Sequence, residues 1–406
     1  MPSSTSARFA AFAVVSFLLL LPFARLTEIS VLGGLVALAV ALVARVDLSR
    51  ARLGLSVLAL IGVAMLLSAV DSVAPAISWR NVASVWRYSG LIAAAALLST
   101  ESRSVTFWPA LILALWVLDA FCQATTGWSL GGPLLSDRLS GIFGSDDLKL
   151  GPTLAVLSPL LLFACERYGA LFRVVTWFAV AVVLLLAGSR AGWASYGLVS
   201  GLWLWRITAG RRLVLLPVLG VGLLALSALV SGLYLSSERF AARVDRSLGL
   251  FTAGDRDFAL AGRLPIWQTA AGMAVAHPIN GIGVRAFRFA YPQYAAPQDP
   301  WVTQDKSRGA HHPHQILLEI VTETGIIGLL LWSAAAAAML RAWQRASASA
   351  REAAWPYACA LIAMCFPLNT HLAFHSAFWG WLFFWLIAMY CAAITTAKSR
   401  PSCNAV

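Results

Sequence analysis

The chain has 406 residues, 60% of them hydrophobic and only 12% charged, with a mean hydropathy of +0.77. That is far more apolar than a soluble multidomain protein, and it identifies a polytopic membrane protein. Thirty Lys and Arg stand against eighteen Asp and Glu, a formal net charge of +12, so the placement of the excess positive charge becomes informative.

A bilayer-spanning helix needs roughly 20 mostly apolar residues, and about twelve such runs follow one another along the chain. They are predicted over 9–24, 29–44, 53–71, 84–99, 107–125, 148–165, 170–188, 191–205, 213–234, 315–340, 355–371 and 376–395. The first resembles a secretory signal. No small-x-small cleavage site follows Phe23-Ala24-Arg25, however, and a second run begins at once, so it reads as an uncleaved anchor with a cytoplasmic amino terminus.

From that start the positive-inside rule is satisfied. The cytoplasmic loops carry Arg45, Arg50, Arg52, Arg103, Arg167, Arg173, Arg206, Arg211, Arg212, Arg341, Arg345, Arg351, Lys398 and Arg400. The expected architecture is an all-α membrane protein in three parts. Residues 1–234 hold transmembrane helices 1 to 9, residues 235–314 a mainly helical outer segment, and residues 315–406 helices 10 to 12 with a cytoplasmic tail. Cys122, Cys165, Cys359, Cys365 and Cys391 fall in or near apolar runs and Cys403 lies on the tail, so no disulfide framework is visible. No internal or inverted repeat stands out.

The outer segments are basic against the general bias. They present Arg80, Arg87, Arg138, Lys149, Arg190, Arg239, Arg243, Arg246, Arg256, Arg263, Arg285, Arg288, Lys306 and Arg308. Phosphate is the natural partner, because guanidinium offers a planar fork of donors and stays charged at any physiological pH. Any single arginine could instead solvate a loop or meet anionic headgroups. Arg190 stands out because it lies where two strongly apolar runs meet on the outer side, and there an anion would offset its charge.

Between the ninth and tenth spans, Arg263-Leu264-Pro265-Ile266-Trp267 begins an amphipathic helix running through Met273 and Ala276 and closed by His277-Pro278. A turn follows at Asn280-Gly281-Ile282-Gly283. Next, Arg285 and Arg288 lie three apart and share a face if their segment is helical. The lone Gly-x-Gly follows no strand and gives no support to nucleotide binding.

The run Ala310-His311-His312-Pro313-His314-Gln315 leads into the tenth span. Proline suits the first turn of a helix, so His314 is expected to open that span. The positive end of the helix dipole there favours a neutral ring able to accept a proton. Histidine ionises near pH 6.5 when unperturbed, which suits a general base. Spacing alone serves equally for a histidine that caps the helix. His311 and His312 invite a metal, but no Cys or carboxylate lies at ligand spacing and no metal site is expected. Asp299, Asp305, Glu319 and Glu323 are possible orienters of the histidine or acceptor contacts, and Glu319 with Glu323 could simply stabilise the helix start. His371 and His375, beside Asn369, read as local structure.

His277-Pro278-Ile279-Asn280-Gly281-Ile282-Gly283, and then His314-Gln315 followed nine residues later by Gly325-Ile326-Ile327-Gly328, resemble the signature of the O-antigen ligase superfamily. Gly188-Ser189-Arg190-Ala191-Gly192 is similar to its Ser-Arg flanked by small residues, and Arg138-Leu139-Ser140-Gly141-Ile142-Phe143-Gly144 to its arginine-bearing outer loop. That loop departs from the family: where an Asn-Pro-Asn-like run is usual, this chain has Ser145-Asp146-Asp147-Leu148-Lys149. The motifs cover residues 138–328.

The resemblance implies a glycosyltransferase of the bacterial inner membrane with its active site facing the periplasm. It would move a glycan from undecaprenyl diphosphate to the lipid A core oligosaccharide by inverting single displacement, with no metal, cofactor or nucleic acid, and with membrane lipids around it. His314 would be the base and Arg190 the second catalytic residue. Arg138, Arg263, Arg285, Arg288 and His312 would bind substrate. An O-antigen polymerase or a protein O-oligosaccharyltransferase would use the same donor with another acceptor. A transporter of lipid-linked sugar should instead place charges at mid-membrane and show repeat-related broken helices, whereas the charges here are expected at the outer face.

Overall fold

A computed structural model describes residues 4–98, 103–135, 138–145, 147–209, 212–236, 238–248, 262–303, 310–369 and 373–395. Arg211, Arg256, Asp305, Lys306, Arg308, His371, Lys398, Arg400 and Cys403 lie outside them, as do the side chains of Arg103, Arg212, Arg239, Arg243 and Arg246.

The architecture is all-α. The helices are α1 (Ser4–Leu20), α2 (Thr27–Val43), α3 (Arg52–Ala69), α4 (Pro75–Val85), α5 (Tyr88–Leu97), α6 (Arg103–Thr126), α7 (Leu150–Cys165), α8 (Ala170–Leu186), α9 (Arg190–Ile207) and α10 (Arg212–Ser236). Then come α11 (Glu238–Leu248), α12 (Leu264–Ala276), α13 (Phe287–Tyr294), α14 (Pro300–Thr303), α15 (Ile316–Arg345), α16 (Ala348–Cys365) and α17 (Ala377–Ile394). Among the described residues the only strands are a two-residue ribbon pairing Trp128–Ser129 (β1) with Gly132–Pro133 (β2).

Among the described residues, six helical stretches are long and apolar enough to cross a membrane: Thr5–Val43, Ser49–Ala69, Ser104–Thr126, Leu150–Tyr168, Ile316–Arg345 and Ala377–Ile394. The first is a hairpin rather than one rod. The chain reverses at Ala24, whose φ of 48° is left-handed, and Ser16 Oγ then meets Ser30 Oγ at 2.8 Å. The predicted span 213–234 falls on the 25-residue helix α10, and those over 84–99, 170–188, 191–205 and 355–371 fall on helices that are shorter or more polar. Tyr88–Leu97 has 10 residues, because the run 84–99 is interrupted beside Arg87, which reaches Glu28 of α2 at 2.7 Å.

The helix α17 lies at the centre. Every residue from Trp379 to Ile394 is buried, as an apolar all-round helix requires. Trp385 stacks on Phe17 of α1 with ring centroids 5.5 Å apart, and Tyr88 stacks on Phe384 at 4.5 Å.

One end of the bundle is stapled by arginines predicted as cytoplasmic. Arg50 donates to the carbonyls of Leu98 and Ala392 at 2.8 and 2.9 Å, satisfying groups that the ends of α5 and α17 would otherwise leave open. Arg206 bridges Glu166, after α7, and Glu352, in the first turns of α16, and lies over the Phe163 ring at 4.8 Å. The other end carries the longer connections, and the candidate site is there.

Part of the positive excess predicted for that end is neutralised within the protein. Arg87 pairs with Glu28 and Lys149 with Asp147, so these two are corrected from candidate anion contacts to internal ion pairs.

Candidate active site

The span predicted as continuous over 315–340 is broken. Within α15, Gly325 has φ 61° and ψ −164°, a conformation essentially confined to glycine. The connection after α12 fills the break. Ile282 and Gly283 donate their backbone N–H to the carbonyls of Thr322 and Glu323 at 2.9 and 3.1 Å. Ile326 and Ile327 donate to Pro278 O and Ile279 O at 2.9 and 3.1 Å. Backbone groups released by the break are thus re-paired by the His277–Gly283 motif, which a membrane interior demands. The same turn is held from its other side by the α3–α4 junction: Val73 N donates to Ile282 O at 3.0 Å and Ser78 Oγ to Val284 O at 2.8 Å.

The helix begins at Ile316, so His314 does not open it as expected. Gln315 is the cap, its Oε1 accepting from Leu318 N at 2.6 Å. A good cap contributes about 1 kcal/mol, and its supply by Gln315 removes the capping alternative for His314. His314 instead adopts a left-handed φ of 55°, which costs a non-glycine residue about 1–2 kcal/mol. Its ring lies 3.9 Å, centroid to centroid, from that of His312. Between them Pro313 O accepts from Trp267 Nε1 of α12 at 3.0 Å, pinning the histidine pair to that helix.

One turn before Trp267, Arg263 is the residue from which α12 starts, and it lies within electrostatic reach of Arg190. Burial, and then the Arg190 guanidinium, lower Arg263 to about 10, still charged at neutral pH. Arg190 is the first residue of α9. Its neighbours in the Ser-Arg motif have packing roles: Ser189 Oγ caps the helix through Gly192 N at 3.2 Å, and a Cβ on Gly192 would lie 3.3 Å from the Gly151 backbone.

Arg138 belongs to a loop that meets the same corner, Leu139 N donating to Leu186 O at 3.3 Å. The fully buried Gln123 organises that loop. Its Oε1 accepts from Ser140 N and Gly141 N at 2.9 and 2.8 Å, and its Nε2 donates to Ser129 Oγ and Ser140 Oγ, both at 3.1 Å.

Arg285 and Arg288 do not share a helical face. Arg285 precedes α13 with a left-handed φ of 62°, and Arg288 lies in the first turn of α13. Both are half-buried. The Arg285 amide donates to Glu323 Oε2 at 2.7 Å, a bond to a charged acceptor that offsets its backbone cost.

Glu319 and Glu323 are not orienters of His314. They lie about 5 and 10 Å below the start of α15 and are fully buried. Glu319 accepts from the amides of Phe374 and His375 at 3.0 and 3.1 Å, and Glu323 Oε2 lies 2.7 Å from His375 Nδ1. Charges are therefore not kept wholly at the rim, contrary to the sequence expectation. Asp299 is likewise structural, accepting from Tyr291 Oη and Trp301 N, both at 2.8 Å.

Ligand atoms of Glu319, Glu323 and His375 lie within 4.8 Å of one another, a spacing that a cation could use. Three of the four carboxylate oxygens already accept from backbone amides or the imidazole, which is the pattern of a closed hydrogen-bonded network. His375 is the residue that sequence reading missed. Its partners are 52 to 56 residues away, and no local spacing signals them.

Residues 174–333 match the model of the family described as O-Antigen ligase. That match covers 160 of the 406 residues, and over it the chain is similar to the O-antigen ligase family. No curated protein matches the chain. The matched residues include Arg190, Arg263, Arg285, Arg288, His312, His314 and Gly325, together with the connection that fills the break in α15. Arg138 and His375 lie outside the matched residues. With the spans above, the match makes this a multi-pass membrane protein with ligase- or polymerase-type glycosyl-transfer function.

Proposed function

We propose that the protein is an O-antigen ligase of the bacterial inner membrane, transferring a glycan from undecaprenyl diphosphate to the lipid A core oligosaccharide at the periplasmic face. The observation that carries this reading is the placement of half-buried Arg263, whose charge burial and then Arg190 disfavour, one turn from the Trp267 that pins the histidine pair; an anionic diphosphate would favour both guanidinium charges. His314 takes the proton from the acceptor hydroxyl, whose oxygen attacks the anomeric carbon as the bond to the diphosphate breaks. The configuration inverts because displacement is single. His312 and Arg288 border the acceptor side, and Arg138 and Arg285 add positive charge for phosphate.

The deciding experiment offers the purified, reconstituted protein a polyprenyl-diphosphate glycan with lipid A core, a second glycan or a peptide as acceptor. Product on the lipid A core is expected. An extended glycan would assign a polymerase, and a glycopeptide a protein O-oligosaccharyltransferase. Arginines supply the positive charge in this mechanism, so EDTA is expected to leave the rate unchanged; loss restored by a divalent ion would overturn the metal-independent step.

Arg190→Ala is expected to lower kcat by about 100-fold and to raise the donor KM, as removal of one preorganised electrostatic group does. Donor kinetics equal to wild type would remove Arg190 from the mechanism.

A further inference from the structure

Glu323 holds two loops at once. Its Oε2 accepts from the Arg285 amide and from His375 Nδ1, each at 2.7 Å. Glu319, one turn earlier, accepts from the amides of Phe374 and His375, with Oε1 3.7 Å from His375 Nδ1. His375 and Arg285 are the basic groups that face the two acids, and the charge of Arg285 acts on that imidazole. Burial alone would lower the ionisation of His375. The hydrogen bond and charge of Glu323, and then the charge of Glu319, outweigh burial and the opposing Arg285, so the net shift is upward.

On its far side His375 borders a polar cavity of about 70 Å³, also lined by Asn81, Ser84, Arg87, Tyr88 and Ser376. His375 Nε2, Arg87 Nε and Ser376 Oγ are buried there without hydrogen-bond partners among the described residues. The volume suits about two water molecules. The charged and titratable groups around the imidazole are therefore Glu319 and Glu323 on α15, Arg285 on the docked turn, and Arg87, itself paired with Glu28, and Tyr88 beside α4 and α5.

We infer that Glu323 and His375 are positioning residues for the transfer reaction, fixing the left-handed turn at Arg285 and so the placement of its guanidinium toward the donor diphosphate. Neither touches substrate. They act through Arg285, and the inference rests on the functional reading above. A neutral imidazole binds the Glu323 carboxylate less firmly, so the turn is held below the raised ionisation of His375 and loosens as the pH rises through it.

The test is a double-mutant cycle on the full chain reconstituted in lipid, with Arg285→Ala, His375→Gln and both together, titrating donor from pH 6 to about 9. Glutamine keeps a donor for Glu323 and removes only the charge. For His375→Gln, the donor KM is expected to rise about tenfold with kcat within twofold of wild type, and to lose the alkaline increase that wild type shows. The double variant is expected to be no worse than Arg285→Ala alone. Additive losses, a His375→Gln donor KM and pH profile equal to wild type, or a fall confined to kcat would each overturn the inference and leave the ligase reading standing. Wild type that takes no glycan from the diphosphate donor would overturn both. If His375→Gln lowers the yield of folded protein, Glu323→Gln is carried through the same cycle with the same expected non-additivity.

Discussion

Alanine at position 314 is expected to abolish transfer while expression, folding and donor binding persist. A positioned general base contributes about 100 to 10,000-fold, and the loss follows from the base role proposed for His314. Gln315 caps α15 and Trp267 holds Pro313 O, so both anchors of the segment survive the substitution. His314→Gly makes the sharper comparison. With φ at 55°, glycine relieves the backbone cost that histidine incurs, so this variant should melt no lower than wild type and still be inactive. A reconstituted assay that finds normal transfer by either variant would remove His314 as the base.

Gly325→Ala is expected to destabilise the protein strongly. A Cβ there would lie 2.2 Å from Ile279 O and 2.4 Å from Ile279 C, both backbone atoms of the turn that fills the break, on a residue whose φ of 61° combined with ψ of −164° disfavours any side chain. Overpacking and backbone strain together predict a loss of about 2 to 5 kcal/mol. Activity should fall with it, because the displaced turn carries Arg285 and the broken helix carries Glu323. A thermal melt in detergent that matches wild type would show that the turn does not depend on glycine at this position.

The hydropathy of the chain marked its helices well, because bilayer-length apolar runs are a signal of composition and survive errors of several residues. Amphipathic α12 and the turn at Asn280–Gly283 were also legible, each from local chemistry. The break at Gly325 was not. Its neighbours are as apolar as any helix interior, and the groups that repair it come from residues 278–283. The same physics explains the miss at His375 and the misassigned roles of Glu319 and Glu323: a carboxylate on a helix reads as a surface charge until the amides that bury it are known. Arg190 and Arg263 were each visible as outer arginines. Their electrostatic influence on each other acts across more than seventy residues of sequence, which no spacing rule records.

The acids of α15 also impose an order on biogenesis. When α15 is synthesised, the amides of Phe374 and His375 that compensate Glu319 are still 55 and 56 residues from being made, so the upper part of the helix cannot settle until α17 inserts. The acids of α15 are therefore fully compensated only once the residues leading into α17 have been made. A polypeptide stopped after α16 would leave two acids exposed to lipid and be a substrate for quality-control proteolysis rather than a slow enzyme.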